Sequence, residues 1–331
     1  MSARSILRDF LKGRPNGPLF IPILFTIACK TLETPLNIFL RSPSRQVLSM
    51  RELQKFLNVD GVIASFDPLL EAEALGCKVD RSSRPPRVVY SPFREEGFER
   101  LHEIDPASIG RISTVVDVIK RMRLTFKDKV IISSITGPLM LAHQLTEDRL
   151  ELDLLHRLIK FVGEFELKLT KLLCMAGVDL LLIIELDPTL ISGIIFEDLK
   201  EALKPICNVS RYFEVLSTLM FVNGLDDSLL EKLIDLGPDC FVLNKVQDCV
   251  RLQRLLSERD KLVSLAVAIE DLLSLNREGL VKKLEATLHC MQKRCVFITT
   301  TWEVPFNADL RALNEGIMEL RSFLRRVIMN T

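Results

Sequence analysis

The sequence predicts a closed (β/α)8 TIM barrel, one domain over residues 1–331, and three observations point to it. About eight apolar, β-rich runs are each separated from the next by a helical pattern. Several of these runs are apolar along their whole length, as parallel strands covered on both faces are. One of them, Val62-Ile63-Ala64-Ser65-Phe66, ends in Asp67-Pro68 and hands over to a helical pattern closed by Gly76, as a parallel strand does on entering its crossover helix. The alternative is a doubly wound sheet with a helical tail, in which the first and last runs are not strands.

In chain order, residues 1–18 read as a short amphipathic helix closed by Gly13 and a turn between Pro15 and Pro18. Leu19 to Phe25 is the first strand, and a helix over about 47–57 precedes the Asp67 strand. Residues 77–100 carry Arg81, Arg84, Pro85, Pro86, Arg87 and Pro92, and read as an excursion over the barrel mouth. A helix over about 109–124, with Arg111 and Lys120 on its polar side, leads to the strand Val130–Ser134 and the turn Gly137-Pro138. A long helix over about 150–176 stops at Gly177, and the strand Val178–Ile184 delivers Glu185 and Asp187 to its carboxyl end. Helix over about 196–204, strand from Arg211 to Ser217, helix Leu229–Leu236 and strand Cys240–Leu243 continue the alternation. A helix near 247–257, the strand Leu262–Ile269, a helix over about 277–292, the strand Cys295–Thr299 and a helix over about 309–328 complete it.

Composition narrows the function classes. Lys and Arg number 44 and Asp and Glu number 44, so no long-range field draws the chain to nucleic acid or to an anionic membrane. The most apolar stretch, Val178 to Phe196, holds Glu185, Asp187 and Pro188 in its middle, where no bilayer-spanning helix would place them. Eight cysteines without a CxxC pair, most of them in apolar segments, read as reduced, buried thiols in a cytoplasmic protein. The start has no apolar secretory core, although its basic, amphipathic character leaves room for a mitochondrial transit peptide.

The candidate site residues follow from their places at strand ends, the edge at which α/β barrels bind ligands. Asp67 is a candidate site acid, or else the cap of the next helix. Glu185 and Asp187 form a candidate carboxylate pair for proton transfer, or else cap and loop acids. His143, just past the Gly137-Pro138 turn, is a candidate proton donor, or else a structural histidine. Trp302, the one tryptophan, ends the last strand and is a candidate stacking wall for a flat ligand. Arg81, Arg84, Arg87 and Arg94 read as solvated surface before an anion site. His289, Cys290 and Cys295 read as structural and not as metal ligands.

Four segments in order resemble the uroporphyrinogen decarboxylase superfamily. They are Ser65 to Gly76, Ile104-Asp105-Pro106, Gly137 to Ala142, and Ala176-Gly177-Val178-Asp179 closing on Phe196, with Glu303-Val304-Pro305 and Asn314 fitting more loosely. The resemblance implies a (β/α)8 barrel with its site at the carboxyl ends of the strands. One branch decarboxylates uroporphyrinogen without a cofactor, and Asp67 takes the position of the acid that holds the pyrrole N–H groups. The arginine-rich segment that should bind the substrate carboxylates is replaced by Phe25-Thr26-Ile27-Ala28-Cys29-Lys30, and His143 or Gln144 stands where that branch has a tyrosine. The other branch moves methyl groups between corrinoids and thiols or other acceptors, typically through zinc held by one His and two Cys. Those ligand positions align on Ser217-Thr218-Leu219 and near Trp302, so no zinc is expected, and Ser217 and Trp302 are the candidate cofactor-facing residues. The resemblance thus implies a zinc-independent methyltransferase working with cobalamin or another corrinoid, or with tetrahydrofolate, and with a corrinoid protein as a partner. A decarboxylase of a porphyrinogen or other carboxylated substrate, and a non-catalytic barrel binding a tetrapyrrole or a partner, are the alternatives. A homodimer is expected from the family's habit.

Overall fold

The computed structural model describes residues 1–81, 86–93, 97–98, 103–147, 152–274, 278–291 and 293–329. Arg84 and Arg94 lie outside these residues, as does part of the 77–100 excursion. Eight strands form one all-parallel sheet, β1 (Leu19–Phe20), β2 (Gly61–Ser65), β5 (Val130–Thr136), β6 (Leu180–Glu185), β7 (Leu216–Phe221), β8 (Cys240–Leu243), β9 (Leu262–Val267) and β10 (Cys295–Thr300). From β2 to β10 each pairs with the next strand of the barrel, and the first pairs with the last, Leu19 opposite Phe297. Helices lie between successive strands, so the (β/α)8 barrel is the observed fold, nearly closed.

The opening lies between β1 and β2, and one residue spans it. Asp60 donates its backbone N–H to Phe20 O at 3.1 Å and accepts the Phe20 N–H on Oδ2 at 2.8 Å. Strand β1 is shorter than the apolar run predicts because Pro22 has no N–H to give to a ladder. The chain nevertheless stays in place beyond it, with Ile21 N–H on Ile298 O and Ile23 N–H on Thr300 Oγ1. Every residue of β2, β5, β6, β7, β8 and β10 is buried, which is why these strands are mainly apolar and do not alternate apolar with exposed polar residues.

On the outside, the helix Leu152–Ala176 packs on the helix Gly193–Tyr212. A Cβ on Gly163 would lie 2.8 Å from Ala202 Cβ, so this crossing is as close as two backbones allow. The Gly193–Tyr212 helix is longer than the predicted 196–204 and absorbs residues assigned to the next strand, which starts at Leu216. The helix Ala3–Leu11 covers the amino end of the barrel, burying Leu7 and Phe10 and pairing Arg4 with Asp179 at 3.1 Å. In the 77–100 excursion, β3 (Lys78–Asp80) and β4 (Arg87–Tyr90) pair antiparallel.

The expectation of eight reduced, buried thiols is corrected. Cys249 and Cys290 are joined as a disulfide, with a Cα–Cα distance of 6.3 Å, and six other cysteines are buried and free. Both partners sit on half-buried positions of outer helices, Cys249–Glu258 and Glu278–Met291, so neither belongs to the apolar core where the sequence placed them. Closing a loop of 41 residues stabilises a chain by about 3–4 kcal/mol. Peptide mapping without reductant is expected to recover the Cys249 and Cys290 peptides linked, and Cys290→Ala is expected to lose that link and lower the melting temperature by several degrees.

Candidate functional site at the carboxyl ends of the strands

Asp67 stands two residues beyond β2 and is buried, with 6% exposure. Its carboxylate is not open to a ligand, because two guanidinium groups already occupy it. Arg81 meets both oxygens at 3.0 Å, and Arg111 meets Oδ2 at 2.5 Å. The same arginines bind Glu73 Oε2, Arg81 at 2.8 Å and Arg111 at 2.7 Å. Burial pushes the Asp67 carboxyl up, but Arg81 and then Arg111 more than reverse this, and it ends below its ordinary range. Asp67 is therefore an ionised member of a four-residue charge cluster and not a proton donor. The Leu69 N–H also lands on its Oδ1 at 3.2 Å and closes a local turn, but Asp67 is not the helix cap, because Leu69 is the N-cap of the helix Leu70–Ala74 and no side chain caps it.

The cluster corrects two sequence expectations. Arg111 does not face solvent; it is 6% exposed and, from the N-cap position of the helix Ile112–Thr125, reaches Asp67 and Glu73. Arg81 belongs to the arginines read as solvated, yet it pins the base of the excursion to the end of β2. Neither has a local sequence signal, since the partners lie 14 and 44 residues away.

Glu185 and Asp187 do not form a pair. Glu185 is fully buried and points at the amino end of the helix Pro138–Leu145, accepting the N–H groups of Leu139 at 3.0 Å and Met140 at 2.9 Å. It satisfies orphan donors and meets the positive end of the helix dipole. A Cβ on Gly137 would lie 2.3 Å from this carboxyl group, so glycine is required there. Asp187 is partly exposed, caps the turn Pro188–Leu190 through Thr189 and accepts Asn223 Nδ2 at 2.8 Å. These hydrogen bonds, Thr189 first, lower its pKa.

Behind Glu185 lies a feature that the sequence reading missed. Glu71 is fully buried against Thr136, taking its N–H at 3.0 Å and its hydroxyl at 2.6 Å. Glu166, on the Leu152–Ala176 helix, is also fully buried, and among the described residues neither of its oxygens has a hydrogen-bond partner. Burial raises Glu71 and Glu185 to about 7. Burial first, then the neighbouring Glu71 and Glu185, raises Glu166 well above its ordinary value. The three acids are a wall of the barrel and share too little solvent to be ionised together.

On the β10 side, Trp302 packs edge-on against Phe66 with ring centroids 5.0 Å apart. Next to it, Glu303 accepts the Thr26 N–H, and burial raises its pKa to about 7. His143 lies on the helix Pro138–Leu145, half-buried on its second turn. Ser217 lies at the other end of the barrel: it is the second residue of β7, and its hydroxyl donates to Asp239 at 2.7 Å. The expectation of a cofactor-facing Ser217 fails because the aligned run falls in the lower half of the strand.

A cleft of about 570 Å³ opens at the carboxyl ends of β8 and β9. Asn244, Lys245, Asp271, Thr287 and Thr301 supply its polar groups, and leucines of the strands and of the Glu278–Met291 helix supply its apolar wall. Its size and mixed lining are those of a small-molecule site.

The uroporphyrinogen decarboxylase family model matches residues 47–270, about two thirds of the chain. The chain belongs to the uroporphyrinogen decarboxylase family. A methyltransferase from Methanosarcina mazei superposes with a TM-score of 0.76 at 17% identity, covering 97% of this chain and 99% of its own. A B12-independent methionine synthase from Shewanella sp. W3-18-1 superposes at 0.56 and 15% identity, covering 94% and 96%. No curated protein matches the chain by sequence. At these identities the superpositions speak for the fold.

Within the family frame, the zinc of the methyl-transferring branch does not fit. At the end of β7 stand Phe221, Val222 and Asn223, and at the end of β10 stands Trp302; none carries a thiol or an imidazole. Among the described residues, no group of three or more His, Cys, Asp or Glu is placed to hold a metal ion.

Two outcomes follow from this geometry. Arg111→Met leaves Asp67 with Arg81 as its one guanidinium partner and Glu73 with Arg81 and the exposed Arg41, and is expected to cost about 3–5 kcal/mol in urea unfolding. A carboxyl whose folded pKa exceeds its unfolded value weakens the fold as pH rises through the interval between the two. For Glu71 and Glu185 that interval runs from 4.5 to about 7, and for Glu166 it extends further upward. Glu166→Met is expected to raise stability by about 1–3 kcal/mol near neutral pH. Thermal melts should show that gain growing from pH 5 to pH 8; a gain independent of pH would refute the assignment.

Proposed function

We propose that this member of the uroporphyrinogen decarboxylase family binds a methyl carrier of the tetrahydrofolate class in the cleft beside β8 and β9, and passes the methyl group to a thiol-bearing acceptor. The charge arrangement of the cleft carries this reading. Lys245 follows β8 and Asp271 follows β9, each exposed in the cleft lining. A carboxylate such as Asp271 accepts paired N–H bonds from an aminopyrimidinone edge, and an ammonium such as Lys245 pairs with the glutamate tail of the same molecule. Leu265 and Leu284 offer apolar surface to the ring faces. The fold likeness to a methyltransferase and a methionine synthase supports the reaction class.

Methyl transfer to a thiol breaks a nitrogen–carbon bond, forms a sulfur–carbon bond and moves one proton from sulfur to nitrogen. Asp67 takes no acid role, because Arg81 and Arg111 hold it ionised. The decarboxylase reading, in which Asp67 holds pyrrole N–H groups, would require both arginines to release it. A corrinoid is larger than the cleft, so a corrinoid or a corrinoid protein would have to lie across the mouth against Trp302.

Binding to the folded chain raises its melting temperature by mass action. Methyltetrahydrofolate is expected to stabilise the protein, and calorimetry should show affinity falling at least tenfold in Lys245→Ala and in Asp271→Asn, with Asp67→Asn close to the parent. Stabilisation by cobalamin alone would move the site to the mouth, and conversion of uroporphyrinogen to coproporphyrinogen would restore the decarboxylase. No response to any of the three would leave a non-catalytic barrel.

A further inference from the structure

The amino end of the barrel, opposite the cleft, holds a second cavity, of about 650 Å³. The helix Ala3–Leu11 and the turn that follows it form one side. The bottoms of β7, β8, β9 and β10 form the other, through Val215, Asp239, Leu262 and Arg294. A barrel's lower face ordinarily serves stability, where charged side chains pair off across the loops. Here the pairing is incomplete.

Five cations and three carboxylates line the cavity. Two of the cations are already paired. Arg211 binds Asp239 at 2.7 Å and Gly237 O at 2.7 Å, and Arg294 binds Asp260 at 2.9 Å. Lys261 adds hydrogen bonds to Gly237 O and Pro238 O, so this side of the rim is held rigidly. Of the other three cations, Lys12 and Lys293 have no ion-pair partner among the described residues, and Arg8 has no direct ion pair but acts on Asp179 from a distance. Against them stands one unpaired carboxylate, Glu214, leaving two net positive charges facing the space. Between the charges lies apolar surface from Phe10, Leu11, Pro15, Val215 and Leu262.

We propose that this cavity is a binding site for a small organic dianion that carries an apolar body, with Arg8, Lys12 and Lys293 taking the charge and Phe10, Pro15 and Leu262 taking the body. Two positive charges in excess match a phosphate monoester or a dicarboxylate. A bare inorganic anion would leave the apolar wall unused, so the ligand is an organic anion and not a free phosphate. Glu214 sets a limit on charge density, because each further negative charge on the ligand meets its carboxylate. The site lies at the end of the barrel away from the cleft at β8 and β9, so its ligand is additional to the methyl carrier and its occupancy does not depend on that reading.

The test is isothermal titration of the full chain at 50 mM salt with phenyl phosphate, phthalate and inorganic phosphate as probes. At least one of the two organic dianions should bind saturably, at least tenfold more tightly than inorganic phosphate. Which of them binds better tells a phosphate ligand from a carboxylate one. The double variant Lys12→Gln/Lys293→Gln should weaken that binding at least tenfold, and raising the salt to 200 mM should weaken it in the parent. Both lysines are exposed and unpaired, so an unchanged melting temperature is expected and shows that the variant is folded. Absence of saturable binding by both organic probes would overturn the proposal, as would binding that the double variant leaves unchanged. Glu214→Gln, which removes the opposing carboxylate, should tighten the same binding.

Discussion

The charge cluster of Asp67, Glu73, Arg81 and Arg111 decides how the mouth of this barrel can be used. Two carboxylates and two guanidinium groups, largely withdrawn from water, satisfy one another through short, charge-assisted contacts. Such a cluster is costly to form and more costly to break, since removal of one member leaves the others buried without countercharge. It also ties three pieces of chain together, the end of β2, the base of the 77–100 excursion and the start of the helix Ile112–Thr125. A ligand that sought Asp67 would have to displace both arginines, and little in a neutral N–H donor could offset that. The end of β2 is therefore closed to a neutral donor, whereas Lys245 and Asp271 on the β8–β9 side are exposed in the lining of the cleft.

Much of the fold was legible because a parallel strand buried on both faces has to be apolar throughout. The runs at Val130, Leu180 and Cys295 gave strands in the expected places. Where the reading slipped, the cause was a backbone rule or a distant partner. Pro22 cut the ladder of the first strand while the apolar pattern continued to Phe25. Tyr212 and Phe213 look like strand residues, yet the Gly193–Tyr212 helix keeps its apolar face on the Leu152–Ala176 helix up to Ser210, and this outweighs their local propensity.

The site was less legible for a different reason. Strand-end position identifies an acid but not the direction of its side chain or what meets it. Glu185 and Asp187 are two residues apart, and one is sealed under a helix terminus while the other is a turn cap in partial contact with water. Asp67 gave no sign of Arg111, 44 residues on, because an arginine on an otherwise apolar helix has the same pattern whether it faces water or a buried carboxylate. Ser217 was misplaced by half a strand, enough to move a residue from one end of the barrel to the other. Glu166 could have been noticed, since it interrupts the apolar stripe of its helix between Val162, Phe165 and Leu169, all buried.

Glu71, Glu166 and Glu185 show what this barrel tolerates inside its wall. Glu185 and Glu71 have work there: one satisfies a helix terminus, the other takes the Thr136 N–H and hydroxyl beside Pro68, and so both fix the loops that follow β2 and β5. Glu166 has neither role, and its carboxyl is kept neutral by burial and by its two acidic neighbours. A neutral acid with no hydrogen-bond partner stabilises nothing by itself. Its effect falls on the other two, because an ionised Glu166 would push their protons on more firmly, and its own proton leaves Glu71 and Glu185 free to ionise near neutral pH. The loops that they hold carry the strand ends of β2, β5 and β6, so proton occupancy in the wall and the geometry of that half of the mouth are coupled. The β8–β10 half is held by other contacts, among them the Glu303 carboxylate on the Thr26 N–H and the Thr300 hydroxyl on the Ile23 N–H.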